Sequence, residues 1–249
     1  MDEHILVIKI GTNTIFNEHG VDYGTAKKIG YEVNHLMQKY AIKPVLVVSG
    51  AVRLGMHAYG LQEKPQDKIL LQMCAGVGQK DLMNVYDLVF KGYTATAQML
   101  FTYEDLANPL REKNIEEVIK GYIGKGTIPL INYNDTINEA EVEFDNDMFG
   151  AEIALYAHAS RYLILTNVLG LYDNDGNIFK QISTVDDYLK SLDTGADIHS
   201  IGGMATKLDA AKLCLQHDIE TILGNVKTYT LSQLLFDATI EKTVFSKKI

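Results

Sequence analysis

The sequence predicts an α/β protein: a mainly parallel sheet covered by helices on both faces. Three observations carry that prediction. Short, continuous apolar runs recur along the chain, and each ends at small or polar residues. Between them lie longer segments whose apolar side chains return at helical spacing. The runs are apolar on both faces, the pattern of strands buried from both sides. The 249 residues include four prolines and no Ser/Gly/Pro-rich tract, so no flexible linker is expected and the chain reads as a single domain over 1–249.

Taken in order, Ile5–Ile10 is a buried strand that stops at Gly11, and Tyr23–Lys39 is a helix. Pro44–Val48 is a second strand, closed by Ser49-Gly50, with a helix opening at Ala51-Val52. Gln66–Phe90 is a long helical segment interrupted by Gly76 and Gly78. Thr94–Phe101 is a candidate strand, Ile115–Tyr122 a helix broken by Gly124-Lys125-Gly126, and Ile128–Ile131 a strand. Thr136–Phe144 mixes β-branched and acidic residues and suggests a surface hairpin. Phe149–His158 is helical, Tyr162–Leu165 a strand, Gly203–His217 a helix, Glu220–Leu223 a strand, and Lys242–Phe245 a last strand-like stretch.

Composition narrows the function classes. The formal net charge is −9, from 32 acidic and 23 basic side chains, which argues against a nucleic-acid partner, since that needs a basic face. No run of roughly 18 apolar residues is present to span a membrane. The N-terminal Met1-Asp2-Glu3 lacks the cationic region of a secretory signal, so a cytoplasmic location is expected. Two cysteines, Cys74 and Cys214, are too few for a disulfide framework or a zinc site.

Sheets of this class bind ligands where strands end and helices begin. Lys9 sits inside the first apolar run, where burial is costly unless it faces an anion; the alternative is an edge strand whose lysine reaches water. Gly11 then permits close backbone approach. Ser49 and the small residues after it open a helix whose N–H groups suit an anion, although Ser49 also fits an ordinary cap. Asn132–Thr136 and Asp145-Asn146-Asp147 are polar clusters that turn the chain, hold Mg²⁺ or hold an ammonium group. Thr166-Asn167 follows the next strand. Ile201-Gly202-Gly203-Met204-Ala205-Thr206-Lys207 leads into a helix, a pattern that cradles phosphate and also makes a common turn. No dinucleotide fingerprint, Walker ending, zincin motif or nucleophile elbow occurs.

In sequence order, Val7–Thr12, Val48–Gly55, Gly78–Phe90, Ala97–Thr102, Ile128–Thr136, Asp145–Asp147, Leu163–Tyr172 and Gly202–Ala211 together resemble the amino-acid kinase family. Within it, they resemble the branch that phosphorylates the γ-carboxylate of L-glutamate. The resemblance implies a three-layer α/β/α sandwich, ATP and Mg²⁺ as cofactors, L-glutamate and ATP as small-molecule partners, and a homo-oligomer, dimer or tetramer. It implies that Lys9 and Lys207 hold the phosphates and the transferring phosphoryl group, with Asp147 orienting both. It implies glutamate binding by Ser49, Asp135 and Asn146. It implies nucleotide binding by Lys9, Gly11, Thr166, Asn167 and Ile201, Gly202, Gly203, Met204, Ala205, Thr206 and Lys207, with no dedicated metal site. Many relatives carry a further C-terminal domain, and this chain is expected to be the short form. The chain departs from the usual pattern at Asn167, where most relatives carry Asp, and at Tyr133, Phe144 and Ile201. Two other readings stay open: a relative with a different carboxylate or phosphate acceptor, and a nucleotide or amino-acid sensor without turnover.

Overall fold

The computed structural model describes residues 4–18, 20–137, 146–186, 188 and 204–247. Its first half contains β1 (Ile5–Ile10), α1 (Thr12–Ile15), β2 (Phe16–Asn17), β3 (Gly20–Val21), α2 (Tyr23–Tyr40), β4 (Lys43–Val48), α3 (Ala51–Ala58) and α4 (Lys68–Phe90). Then follow β5 (Thr96–Phe101), α5 (Tyr103–Leu106), α6 (Pro109–Gly124), β6 (Ile128–Tyr133), α7 (Asn146–Tyr156) and β7 (Arg161–Leu165). The described elements end with β8 (Gln181–Ile182), α8 (Ala205–Gln216), β9 (Glu220–Gly224), α9 (Leu231–Phe236) and β10 (Thr243–Phe245).

Eight strands form one sheet in the order β5-β6-β4-β1-β7-β9-β10-β8. Every pairing is parallel except that of β10 with β9. β2 and β3 form a separate two-stranded ribbon. The strand β1 is central: Ile8 pairs with Leu46 of β4 on one side and Leu163 of β7 on the other. The reading of Lys9 as an edge-strand residue reaching water is therefore corrected. From β1 the sheet extends through β4, β6 and β5 on one side and through β7 and β9 on the other, with β5 preceding β6 in the chain. The C-terminal end of β1 is thus the point where the strand order reverses, the favoured ligand crevice in open α/β sheets.

Strand alternation divides the core into two layers. Ile5 and Val7 of β1 point to the face covered by α6, α7 and α8, where they join Val45, Val47, Ile119, Phe149, Ile153, Leu208 and Cys214. Leu6, Ile8 and Ile10 point to the opposite face and pack with Ile29, Val33, Leu82, Tyr86, Leu231 and Leu234 of α2, α4 and α9. By the same parity, Lys9 falls on the α7/α8 side.

The helices begin where polar side chains satisfy their first N–H groups. The Asp22 carboxylate accepts from Thr25 N at 3.0 Å, and that of Asp67 from Leu70 N at 2.7 Å. Asn108 caps α6 with Pro109 just inside, and Thr230 with Gln233 forms a reciprocal capping box on α9.

Two expectations change. The segment read as interrupted by Gly76 and Gly78 is one unbroken helix, α4. Gly78 is there for packing, since a β-carbon on it would lie 1.8 Å from the Ala51 carbonyl oxygen. Gly55 of α3 returns the relation, with its β-carbon position 1.9 Å from the Cys74 carbonyl oxygen. The hairpin expected over Thr136–Phe144 falls largely on residues 138–144, outside the described residues; the part that is described, through Ile137, contains no strand.

Candidate functional site

The C-terminal end of β1 brings three charged side chains together from distant parts of the chain. Lys9 Nζ lies 2.5 Å from Asp147 Oδ1, and Lys207 Nζ lies 2.7 Å from Asp147 Oδ2. Asp147 is 1% exposed and Lys9 9%. Lys9 arrives from the strand, Asp147 from the first turn of α7, and Lys207 from the first turn of α8. An acid in a first turn is favoured by the helix dipole and a lysine there is not, so the pairing with Asp147 offsets an unfavourable position for Lys207. Burial pushes the Asp147 carboxyl up, but the two ammonium groups beside it outweigh burial and hold it below the ordinary carboxylate value.

The backbone of Asp147 is also anchored. Tyr162 on β7 donates its hydroxyl to the Asp147 carbonyl oxygen at 2.9 Å. Room for that hydroxyl comes from Gly150, one turn along α7, where a β-carbon would lie 2.2 Å from it. Asn146 opens the same helix; Asp145 lies outside the described residues.

Ser49, at the end of β4, is buried and donates to the Ile10 carbonyl at 3.1 Å while accepting from Thr12 Oγ1 at 3.3 Å. It therefore ties the ends of β1 and β4 together. Gly50 beside it has φ +118°, the left-handed region, with the Phe16 ring packed against its α-carbon. Gly11 leaves the Lys9 ammonium open to close approach, since a β-carbon there would stand 3.4 Å from Nζ. Asp135 lines a small cleft with Ala51, Gln79 and Thr136. Two of its lining residues, Gln79 and Tyr133, are joined through buried Asn132: Asn132 Nδ2 donates to Gln79 Oε1 at 2.8 Å, and Asn132 Oδ1 accepts from Tyr133 N at 2.9 Å.

On the β7 side, Thr166 N donates to the Gly224 carbonyl at 3.0 Å. Asn225 Nδ2 donates to the Asn167 carbonyl at 2.7 Å and so joins the loops after β7 and β9. Met204, Ala205 and Thr206 precede Lys207 at the start of α8. Ile201, Gly202 and Gly203 of the same predicted loop lie outside the described residues.

The structure thus brings together Lys9, Asp147 and Lys207 in direct contact. Ser49, Gly11, Thr166 and Asn167 sit at the ends of the strands around them, and Asp135 stands in the neighbouring cleft. Three polar residues here carry no role in the sequence reading, Gln79, Tyr162 and Asn225, and Asn132 enters it only as the first residue of a polar cluster. Asn225 directly follows β9, so the strand-end rule that flagged Thr166 also reaches it. Cys74 and Cys214 are buried and burial pushes both thiols up, Cys214 to about 11, in keeping with a packing role. No helix among the described residues is long and apolar enough to cross a membrane.

Two cations sharing one buried carboxylate, with N-terminal helix turns converging on them, form a site suited to a polyanion. Comparison with known proteins agrees with that class. The sequence profile of the amino acid kinase family matches residues 4–225. The chain is 33% identical over 232 residues to the glutamate 5-kinase of Thermoanaerobacter sp. (strain X514), covering 89% of this chain and 62% of that protein. It is 32% identical over 253 residues to the glutamate 5-kinase of Symbiobacterium thermophilum, covering 98% and 96%. Among solved structures, a Giardia carbamate kinase superposes with a TM-score of 0.70 at 16% identity, over 99% of this chain and 100% of that one. The UMP kinase of Ureaplasma parvum gives 0.65 at 17% identity, over 98% and 100%. These structural likenesses concern the fold, an α/β/α sandwich on a mainly parallel sheet. The chain belongs to the amino acid kinase family. It spans about three fifths of the length of the first curated relatives it matches, 62%, and nearly the whole of others.

Proposed function

We propose that the chain is a single kinase domain that transfers the γ-phosphoryl group of ATP to the γ-carboxylate of L-glutamate, giving L-glutamyl 5-phosphate and ADP as the leaving group, the first step of proline biosynthesis. The observation that carries this reading is the Lys9–Asp147–Lys207 trio, its carboxylate buried, at the point where the strand order reverses. The likeness to the glutamate 5-kinases named above supports the choice of acceptor.

The chemistry asks for little covalent help. The acceptor carboxylate is itself the nucleophile, so the protein's task is alignment and stabilisation of charge on the phosphoryl oxygens. Lys9 and Lys207 approach from a strand and a helix on the same sheet face and serve that charge. Asp147 holds both ammonium groups in position; its low pKa keeps it ionised across the physiological range. With Asp147 already bonded to two lysines, Mg²⁺ enters as MgATP, carried by phosphate oxygens and water. Gly11, Thr166, Asn167 and residues 201–207 bind the nucleotide, with Asn225 holding the Asn167 loop in place. Ser49, Asp135 and Asn146 bind glutamate, and the Asp135 carboxylate is the partner for its ammonium group. The reaction belongs in the cytoplasm, with the chain in a homo-oligomer.

The test is direct. The chain is incubated with MgATP, L-glutamate and hydroxylamine, which traps an acyl phosphate as the γ-hydroxamate. Hydroxamate that depends on both substrates supports the reading. Product with another carboxylate or phosphate acceptor but none with L-glutamate overturns it. Binding of ATP or glutamate with no turnover on any acceptor points instead to a sensor.

A further inference from the structure

The amide of Gln79 is fixed in one orientation by a short relay. A backbone N–H can only donate, so the Tyr133 N–H at 2.9 Å requires the oxygen of Asn132 to face it. The Asn132 nitrogen then faces Gln79, and the oxygen of Gln79 must accept from it at 2.8 Å. That leaves Gln79 Nε2 directed elsewhere. It is buried and has no hydrogen-bond partner among the described residues, while the residue as a whole is 9% exposed. Gln79 lines the cleft that also holds Ala51, Asn134 and Asp135. A buried donor held in place and left unpaired is costly, and native proteins keep one mainly where a ligand or an ordered water completes it.

Resting on the glutamate-kinase reading above, we infer that Gln79 is a substrate-binding residue whose amide nitrogen donates to the α-carboxylate of the amino-acid acceptor. Charge and distance select that group. The cleft pairs an anionic side chain, Asp135, with a neutral donor, and an ammonium next to a carboxylate is the matching ligand. The cleft stands at the end of β6, which is separated from β1 by β4. At about 4.8 Å per strand, that is roughly 10 Å from the lysines, a span that a five-carbon dicarboxylate covers with a hydrogen bond at each end. The acceptor thus places its γ-carboxylate at Lys9 and Lys207 and its α-carbon substituents at Gln79 and Asp135.

The substitution Gln79→Glu isolates the outward contact. One carboxylate oxygen still accepts from Asn132, while the other replaces the amide nitrogen and repels a carboxylate. The KM for L-glutamate is expected to rise about 10- to 100-fold, the loss of a hydrogen bond to a charged group. The KM for MgATP should stay unchanged. So should the inhibition constant of 4-aminobutyrate, which has the amine and the distal carboxylate but no α-carboxylate. An unchanged KM for L-glutamate in folded Q79E overturns the inference and leaves Nε2 to an ordered water. An equal loss for 4-aminobutyrate overturns it as well. Where circular dichroism shows Q79E misfolded, Q79M decides by the same comparison, with calorimetric titration of L-glutamate. A wild-type chain that makes no glutamyl hydroxamate sinks the functional reading and this inference together; an active wild type with unaltered Q79E sinks the inference alone.

Discussion

Gly150→Ala is expected to destabilise the chain through one identifiable overlap. The new methyl group would stand 2.2 Å from the Tyr162 hydroxyl oxygen, 2.9 Å from Tyr162 Cζ and 3.1 Å from Cε2, where ordinary contact begins near 3.4 Å. Both residues are buried, so neither α7 nor β7 can yield without moving the core. Overpacking on this scale costs about 3 kcal/mol. At roughly 2 °C per kcal/mol for a chain of this length, the melting temperature should drop by about 6 °C. Tyr162→Phe alone removes the hydrogen bond to the Asp147 carbonyl, worth about 1 kcal/mol. It also removes the atom involved in the worst overlap. The double variant should therefore cost about 2 kcal/mol, against about 4 for additive effects, a coupling of about 2 kcal/mol. Urea unfolding of all four proteins, with midpoints and slopes compared, measures it. Additive losses would refute the claim that Gly150 exists to admit the tyrosine hydroxyl. The G150A protein should also lose more turnover than its residual stability explains, because the clash displaces the turn that carries Asp147.

Further outcomes follow from the same geometry. Lys207→Ala should lower turnover in the hydroxamate assay by about 100-fold or more, with the circular dichroism spectrum retained; an active K207A would contradict the role given to that ammonium. The Asp147 carboxyl has its folded pKa below 3.8, so its stabilisation is complete above the unfolded value and is lost as pH falls through the lower folded value. Asp147→Asn removes it, at a cost of about 3 kcal/mol near neutrality because two lysines lose their counter-ion. The stability gap between wild type and D147N should then narrow on acidification from about pH 5 downward; a gap independent of pH in that range would contradict the assignment. Gly78→Ala forces α3 away from α4 and should cost at least about 3 kcal/mol in urea unfolding, with Ser49 and Ala51 displaced.

The sequence announces the sheet because its strands are apolar on both faces, and the strand-end rule reaches Lys9, Ser49, Thr166 and Asn167 from pattern alone. What periodicity does not reveal has physical reasons. Gly78 looks like a helix breaker because local propensity says nothing about a helix lying against another at backbone distance. Elements such as α1, α5 and β8 are too short to show a period. Lys9 is ambiguous on its own, because its burial depends on a carboxylate supplied from α7. Tyr162 and Gly150 read as ordinary filler until the strand and helix that carry them are set against each other. Along the sequence Gln79 lies mid-helix, far from any strand end, and its meaning rests on how Asn132 orients its amide.

The central position of β1 has a consequence for the order in which the chain can be completed. Its strand partners come from both directions, β4 soon after it and β7 far downstream, and the carboxylate that neutralises Lys9 arrives only with α7. A ribosome-bound chain that has not yet emitted residue 147 can pair β1 with β4, but it cannot close the layer over the end of β1, because a bare ammonium there keeps its water. Lys207 follows 60 residues after Asp147. Sealing this end of the sheet is thus deferred until most of the chain is available, and the unfinished crevice remains hydrated in the meantime.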